Sequence, residues 1–486
     1  MQLAAIDLGS NSFRLEIGQV MGTHIARTGY WKETVRLAGG LGADNHLSRR
    51  AIDQACVCLA RMNERLRGMK PGQVRAVGTQ TMRQAVNADQ FLGEAERALG
   101  YPIEIISGRE EARLIFEGCT RTLPPTQRRR LVVDIGGAST EVIVGRGFVP
   151  AHAESFKIGC VGTTLRYFPG GRIDRASLRR AQVACAAELE EAQEAFRHYG
   201  WDEAYGSSGT IGAAALILRN LGWTDGTVTS ASLARLRQLL LDFGDIRRVQ
   251  FDDIKAERAE VLVGGIAALS AVFDTFGIEE MRPAKGALRA GLLYDLLGRR
   301  ARHDVRDATV QRWQQRYGAD RELAAMVAAT ARKLYLALLP DAPEEGLRNL
   351  RFASQLHEIG FAVSHSDYHK HSAYLVRNGD LAGFSTSEQE RVAELVLGQR
   401  GNLRKVLDVL SDPVRAGALL ALRLAIVLHH ARRPMRLPCW KLRVSRAFEL
   451  GIDRRWIAHR PLTRHLLDEE AQQWARVGIA FRVKEI

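Results

Sequence analysis

The feature that most constrains the fold of this 486-residue chain is an internal repeat. Residues 6–17 read IDLGSNSFRLEI and residues 133–144 read VDIGGASTEVIV, and the two segments align without a gap at a separation of 127. Each is an apolar strand ending in Asp, then a turn of small residues, then a second strand with period-two alternation. Gly follows Asp by two positions in both copies, as Asp7/Gly9 and Asp134/Gly136. A hairpin with such a tip offers backbone N–H groups and hydroxyls to an anion, while its carboxylate can hold a cation. Two such tips facing each other would make a clamp.

The surrounding pattern is α/β. Residues 74–79 and 102–107 are predicted as strands, and 49–66 and 89–99 as helices. The segment LPPTQRRR at 123–130 breaks the pattern. The second half repeats it, with strands over 131–144, a helix over 175–199, the turn GSSGT at 206–210, and helices over 211–221 and 256–276. From about residue 304 long helical stretches follow, with little β signal. The expected domains are 1–124, 125–302 and 303–486, the last with room for a small terminal subdomain. A content of 46% hydrophobic and 26% charged residues suits globular domains of this number.

Other classes fall away. The longest apolar stretch, near 416–428, is interrupted by Arg423 and is shorter than the roughly 20 residues a membrane helix needs. With no signal-peptide pattern at Met1, a cytoplasmic protein is expected. Six scattered cysteines and no CxxC pair argue for structural thiols. There is no P-loop and no GxGxxG with a downstream acid. The net charge of +14 points to an anionic partner without naming it.

Two segments could carry chemistry. GSSGT precedes a helix expected to begin near Ile211, where backbone N–H groups, with Thr210 as N-cap, could bind an anion. In SGREEARLIFEG at 107–118, Ser107 and Glu110 have the spacing of a capping box. Glu111 then points elsewhere, free to act as a general base on water or simply to complement the helix dipole.

Six ordered motifs remove the anonymity: DLGSNSFRL (7–15), GTQTMRQAVN (78–87), EIISGREEARLIFEG (104–118), LVVDIGGASTE (131–141), GSSGT (206–210) and GALRAGLLYD (286–295). Together they resemble the exopolyphosphatase and guanosine pentaphosphate phosphohydrolase (Ppx/GppA) family, and the HEIG and HSAYLVRN segments extend the resemblance through the C-terminal part. It implies two actin-like (ribonuclease H-like) α/β domains around a cleft, followed by a mostly helical HD-like region. It also implies hydrolysis of a terminal phosphoanhydride with Mg²⁺, leaving room for a monovalent cation such as K⁺. By the same resemblance Glu111 is the catalytic base, and Asp134 and Glu141 hold Mg²⁺, with Asp7 orienting water or metal. Ser10, Asn11 and Ser12 of one tip, Gly136, Gly137, Ala138 and Ser139 of the other, and Gly209 with Thr210 would cradle phosphates. Arg83 would neutralise charge on the transferred phosphoryl.

The substrate expected first is inorganic polyphosphate. Guanosine pentaphosphate (pppGpp), giving the tetraphosphate, is the alternative, and a non-catalytic sensor of either is disfavoured by the presence of Glu111, Asp134 and Glu141. The Gly-Gly-Ala tip leans toward the pentaphosphate branch, whereas HSDYHKHSAY at 365–374 and the basic charge lean toward polyphosphate. No specific nucleic acid or membrane span is expected, and a homodimer through the C-terminal domains is. In that region His357-Glu358 stands where HD enzymes have His-Asp, so no catalytic metal is expected there, although His365 and His369 could share a helix face. Residues 401–460 hold 13 Lys and Arg against 4 Asp and Glu. That block, with Arg432, Arg433 and Arg436, is either a solvated surface or a track for a polyphosphate chain.

Overall fold

The computed structural model describes residues 1–301, 303–434, 437–444 and 447–486. It divides into two compact units, residues 1–304 and 305–486.

In the first unit the repeated hairpins seed two sheets of related topology. β1 (Gln2–Leu8), β2 (Ser12–Met21) and β3 (His24–Thr34) form an antiparallel meander, and β4 (Val74–Gly78) and β5 (Ile103–Ile105) add parallel to β1, in the order β3-β2-β1-β4-β5. In the second sheet β6 (Arg129–Ile135), β7 (Thr140–Arg146) and β8 (Val149–Phe156) repeat the meander. β9 (Glu203–Ser207) lies parallel to β6, followed by β11 (Glu280–Pro283) and β10 (Val228–Thr229), in the order β10-β11-β9-β6-β7-β8. These are the two α/β domains built on the repeated hairpins, in the actin-like arrangement that the family resemblance implied.

Strand alternation sorts side chains between two cores in each domain. Ala4, Ile6 and Leu8 pack into the core of the first domain, while Leu3 and Ala5 face a separate cluster between the domains. Likewise Leu131, Val133 and Ile135 enter the second domain's core, and Val132 and Ile143 face the shared cluster. The helices Gly108–Arg121 and Leu288–Arg300 fill that shared space. They cross at glycines: a Cβ on Gly291 would lie 1.9 Å from the Leu114 carbonyl oxygen, and one on Gly118 2.1 Å from that of Ala287. Glycine at both positions is what lets the two backbones touch.

Several elements differ from the sequence reading. The helix expected over 175–199 is two, Arg175–Glu190 and Gln193–Tyr199, and that over 256–276 is Ala256–Ala259 followed by Leu262–Phe276. Gly264 and Gly265 press the latter segment onto Thr164 and Thr210, where any Cβ would clash, and the short preceding turn carries Arg258 separately. The helix expected from Ile211 starts earlier, at Ser208.

The second unit is helical through Pro413–Leu428 around one core. It then departs from expectation with a three-stranded sheet, β12 (Trp440–Val444), β13 (Phe448–Ile452) and β14 (Phe481–Glu485). β14 joins parallel to β13 after the helix Pro461–Ala475, which buries Trp474. Among the described residues no helix is long and apolar enough to cross a membrane.

Candidate active site

The same alternation that builds the cores aims the charged residues. Asp7 follows Leu3 and Ala5 on the inter-domain face of β1, and Asp134 follows Val132 on that of β6. Across the first hairpin Asp7 pairs with Arg14, and at the equivalent register of the second Asp134 pairs with Glu141. The repeat therefore places a cation and a carboxylate at corresponding positions on opposite walls of one cleft.

This cleft, about 100 Å³, is lined by Asp7, Ser10, Asn11 and Ser12 from one tip and by Asp134, Gly136, Gly137, Ala138, Ser139 and Glu141 from the other. Glu111 and Gly209 complete the set of expected residues that the structure brings together here. The second tip is tight, with Gly136 N–H donating to the Ser139 carbonyl at 2.9 Å. Its Gly136 and Gly137 carbonyls accept from the N–H groups of Cys160 and Val161, at the start of the helix Cys160–Tyr167. Those acceptors are thereby withdrawn from the cleft, which favours an anion at the tip.

Glu111 sits in the first turn of Gly108–Arg121, whose N-cap Ser107 accepts from Glu110 N–H at 3.2 Å. The expected return bond of the capping box is not how Glu110 is used. Its two oxygens each receive a bond from Arg113 at 2.8 Å, on the side of the helix away from the cleft. One residue on, Glu111 Oε2 accepts from Arg83 Nη1 at 2.9 Å. Burial pushes the Glu111 carboxyl up to about 7; Arg83 opposes this, and the charges of Asp7 and Asp134 add to it. Glu141 is held well above its ordinary range by burial, then by the charges of Glu111 and Asp134, while Ser155 Oγ donates to it at 2.8 Å. Asp134 is raised by burial against a hydrogen bond from Ser207. Among the described residues neither Asp134 nor Glu141 has a salt bridge, whereas Asp7 has Arg289 at 3.5 Å.

Two expected residues lie elsewhere. Thr210 is not an N-cap, because the helix begins two residues before it; it is buried and its hydroxyl donates to the Ile135 carbonyl at 3.3 Å, bracing the strand behind the tip. Arg83 is held behind Glu111, its guanidinium bonded also to the Ile106 carbonyl and to Gln80, and does not line the cleft.

The cations that do line it are Arg14, Arg258 and Arg289, none of which the sequence reading singled out. Arg14 and Arg289 lie inside the motifs at 7–15 and 286–295, and Arg14 aligns with Glu141 in the repeat; either signal could have found them. Arg258 lies outside every motif and arrives by packing, its guanidinium 2.0 Å from where a Cβ on Gly209 would be. Among the described residues Arg14 and Arg258 have no carboxylate in salt-bridge range. Neighbouring Lys32 is lowered by burial and by those two like charges, the signature of a positive focus. Ser208, also at the wall, holds a left-handed φ of 78°, a strained conformation for a residue with a side chain.

In the second unit, His365 precedes the helix Tyr368–Asn378 that contains His369, so the two share no helix face. Four of the 13 basic residues of the block pair with carboxylates outside it: Arg415 with Glu394, Arg423 with Glu470, Arg432 with Glu358 and Arg454 with Glu485. Arg436 lies outside the described residues.

Comparison with known proteins agrees with this architecture. The model of the Ppx/GppA phosphatase family matches residues 17–300, and that of Ppx/GppA phosphatase domain III matches residues 305–471. Among solved structures, the Aquifex aeolicus PPX-GPPA enzyme is 25% identical with a TM-score of 0.52, over 60% of this chain and 99% of that one. An exopolyphosphatase from Cytophaga hutchinsonii shares the fold at 22% identity and a TM-score of 0.56, over 61% of this chain and 98% of that one. Two facing Asp-Gly hairpins, a buried glutamate between them and matches across both units lead to one conclusion: the chain belongs to the Ppx/GppA phosphatase family and is a phosphoanhydride hydrolase.

Proposed function

We propose that this cleft removes terminal orthophosphate from inorganic polyphosphate with the help of Mg²⁺, Glu111 acting as general base. The observation that carries the reading is Glu111 itself: a buried carboxyl raised to about 7, set between two anion-receiving tips. A base poised near the working pH is half ionised there and still accepts a proton readily.

The carboxylates suit the cation. Asp134 and Glu141 are buried, raised by that burial and without a salt bridge among the described residues, the state of groups that a cation would relieve. Among the described residues no three His, Cys, Asp or Glu side chains form a metal cage by themselves. Mg²⁺ does not need one, since it is commonly held by one or two carboxylates together with substrate phosphates and water. Asp134 and Glu141 would hold it. Its chemistry there would be to neutralise charge on the phosphoryl oxygens.

The chain's own residues supply the rest. With Glu111 Oε2 engaged by Arg83, Oε1 is the atom left to take the proton from the attacking water. The water oxygen bonds to the terminal phosphorus as the bridging P–O bond breaks, and the shortened chain leaves on its own oxygen. Tip N–H groups with Arg14 and Arg258 bind the equatorial oxygens, over which the transition-state charge is spread. The substrate choice rests on the lining, which has charged, hydroxyl, amide, thiol, glycine and aliphatic groups but, among the described residues, no aromatic ring to stack a base. The test is orthophosphate release with Mg²⁺ from long-chain polyphosphate and from guanosine pentaphosphate, side by side, in wild type and Glu111→Gln. A higher kcat/KM on polyphosphate that collapses in the variant is expected. Preference for the nucleotide would transfer the same machinery to the pentaphosphate.

A further inference from the structure

The second unit holds a cavity of its own, about 410 Å³, within the size range of small-molecule sites. It contains the HEIG histidine and glutamate, which the hydrolytic cleft of the first unit does not use. Its two buried carboxylates are already engaged, and the exposed Glu469 at its edge lies 3.4 Å from His465. Arg432 grips Glu358 with bonds of 2.6 and 2.8 Å, and Arg423 grips Glu470, which also accepts from Trp474 Nε1 at 2.7 Å. A cation would have to compete with guanidiniums for both.

What the interior presents instead is a set of acceptors. Gln399, 3% exposed, spends its amide N–H groups on the carbonyls of His357 and Val396 at 2.8 and 2.9 Å. That fixes the amide and leaves Gln399 Oε1 buried with no partner among the described residues. Gln473 Oε1, on the same lining, is likewise buried and unpartnered, and His429, 4% exposed, meets Thr330 Oγ1 through Nε2 at 2.8 Å and leaves Nδ1 unpartnered among the described residues, a point that donates or accepts according to the tautomer. His357 Nδ1 meets the Ser354 carbonyl at 2.7 Å, so Nδ1 carries the proton and Nε2 is a further acceptor. Beside these, Phe361 stacks on Tyr368 with ring centroids 4.1 Å apart, a flat apolar surface. Arg400 lies over the Tyr368 ring at 5.8 Å, is exposed, and has no carboxylate in salt-bridge range among the described residues. Lys405 Nζ donates to the Arg400 carbonyl at 2.7 Å and adds positive charge next to it.

Buried acceptors require a ligand that brings N–H donors, the flat wall suits a planar ring, and the unpaired guanidinium at the rim suits an anionic tail. We infer that this cavity is a binding site for a small phosphorylated nitrogen heterocycle, of the nucleoside monophosphate class, separate from the hydrolytic cleft. The inference does not depend on the substrate assigned to that cleft.

Calorimetric titration of the full chain with the four common nucleoside 5′-monophosphates tests it, with inorganic phosphate, Zn²⁺ and long-chain polyphosphate as comparison probes. One equivalent of at least one monophosphate is expected to bind. Arg400→Ala should weaken it by about tenfold, the scale of one charge-assisted contact, and Gln473→Leu by about fivefold. Both positions are at least partly exposed, and both variants should keep wild-type polyphosphate hydrolysis. Binding should persist in Glu111→Gln and in the presence of saturating polyphosphate. The inference is overturned if no monophosphate binds at millimolar concentration, or if phosphate alone binds as tightly. It is equally overturned if binding ignores both variants and is displaced by polyphosphate, or if Zn²⁺ binds instead with the same dependence on the variants.

Discussion

Glu110 and Glu111 are neighbours in one helical turn, both buried, and the fold surrounds them with opposite fields. Glu110 joins a network in which Arg113 bridges Glu110, Glu117 and Asp295, and Asp295 also binds Arg75 at 2.6 Å and Arg299 at 2.7 Å. Burial alone would raise Asp295, but Arg299, Arg75 and Arg113 outweigh it and hold the carboxyl far below its ordinary range. Glu111 faces the cleft with Asp7, Asp134 and Glu141, where burial and like charge prevail and Arg83 only moderates them. The same residue type, at equal depth, is clasped by a guanidinium on one side of the helix and poised to exchange a proton on the other. Guanidiniums in direct contact with their carboxylates make the first a structural group; in the cleft Arg14 and Arg258 touch no carboxylate among the described residues and Glu111 keeps Arg83 alone, which makes the second a chemical one.

This contrast can be broken from either side. The largest effect expected is on chemistry: Glu111→Gln should lower kcat by about 10²- to 10⁴-fold, the usual contribution of a positioned base, while its denaturation midpoint stays at or above wild type. Near wild-type turnover would take Glu111 out of the mechanism. Asp295→Asn should do the reverse. Three guanidiniums would lose their common partner, with a loss of about 3–5 kcal/mol in chemical denaturation and little change in kcat for the folded fraction. A drop in kcat at unchanged stability would dissolve the division between the two sides.

Arg83→Gln sharpens the comparison, because it removes the guanidinium bonded to Glu111. The acid limb of the kcat/KM profile should move up by about one pH unit or more, the effect of losing an adjacent opposite charge. A uniform loss at every pH, with the limb unmoved, would instead put Arg83 on the phosphate. The smallest effect expected is on stability against pH in metal-free protein. Glu111 binds its proton more tightly folded than unfolded, so its contribution is complete below about 4.5 and is lost as pH rises through about 7. Asp295 behaves oppositely, and its contribution is lost only as pH falls below the ordinary carboxylate range. Melting temperature should therefore fall between pH 5.5 and 8 in wild type, and part of that slope should vanish in Glu111→Gln. An identical slope in both proteins would detach Glu111 from it.

The parts of this site that could be read early share a property: they are local. An Asp-Gly hairpin shows itself within twelve residues, and period-two alternation already aims Asp7 and Asp134 at the same side as Leu3 and Val132. Arg258 could not be read that way, because it reaches the cleft from a four-residue helical turn that meets Gly209 through packing alone. The small sheet of the second unit was missed for a related reason. Its strands are five residues each, and β14 pairs with β13 at Phe448↔Phe481, across an intervening helix. The Ser107–Glu110 spacing suggested a capping box, but the buried Arg113 guanidinium, bonded directly to both Glu110 oxygens, outcompetes a backbone N–H for that carboxylate.

By itself, then, the sequence determined the two hairpins, their Asp-Gly tips, the α/β frame that repeats around them and the separation of Glu110 from Glu111, since strand and helix periodicity follow from backbone geometry alone. Only the tertiary structure decided which carboxylates are matched by arginines and which are not, that Arg83 serves Glu111 while Arg14 and Arg258 line the cleft, and that the second unit encloses acceptors of its own. Those outcomes depend on burial and on charges brought together from distant parts of the chain, and an ionisable group's proton affinity is set by exactly such neighbours and by the water they exclude.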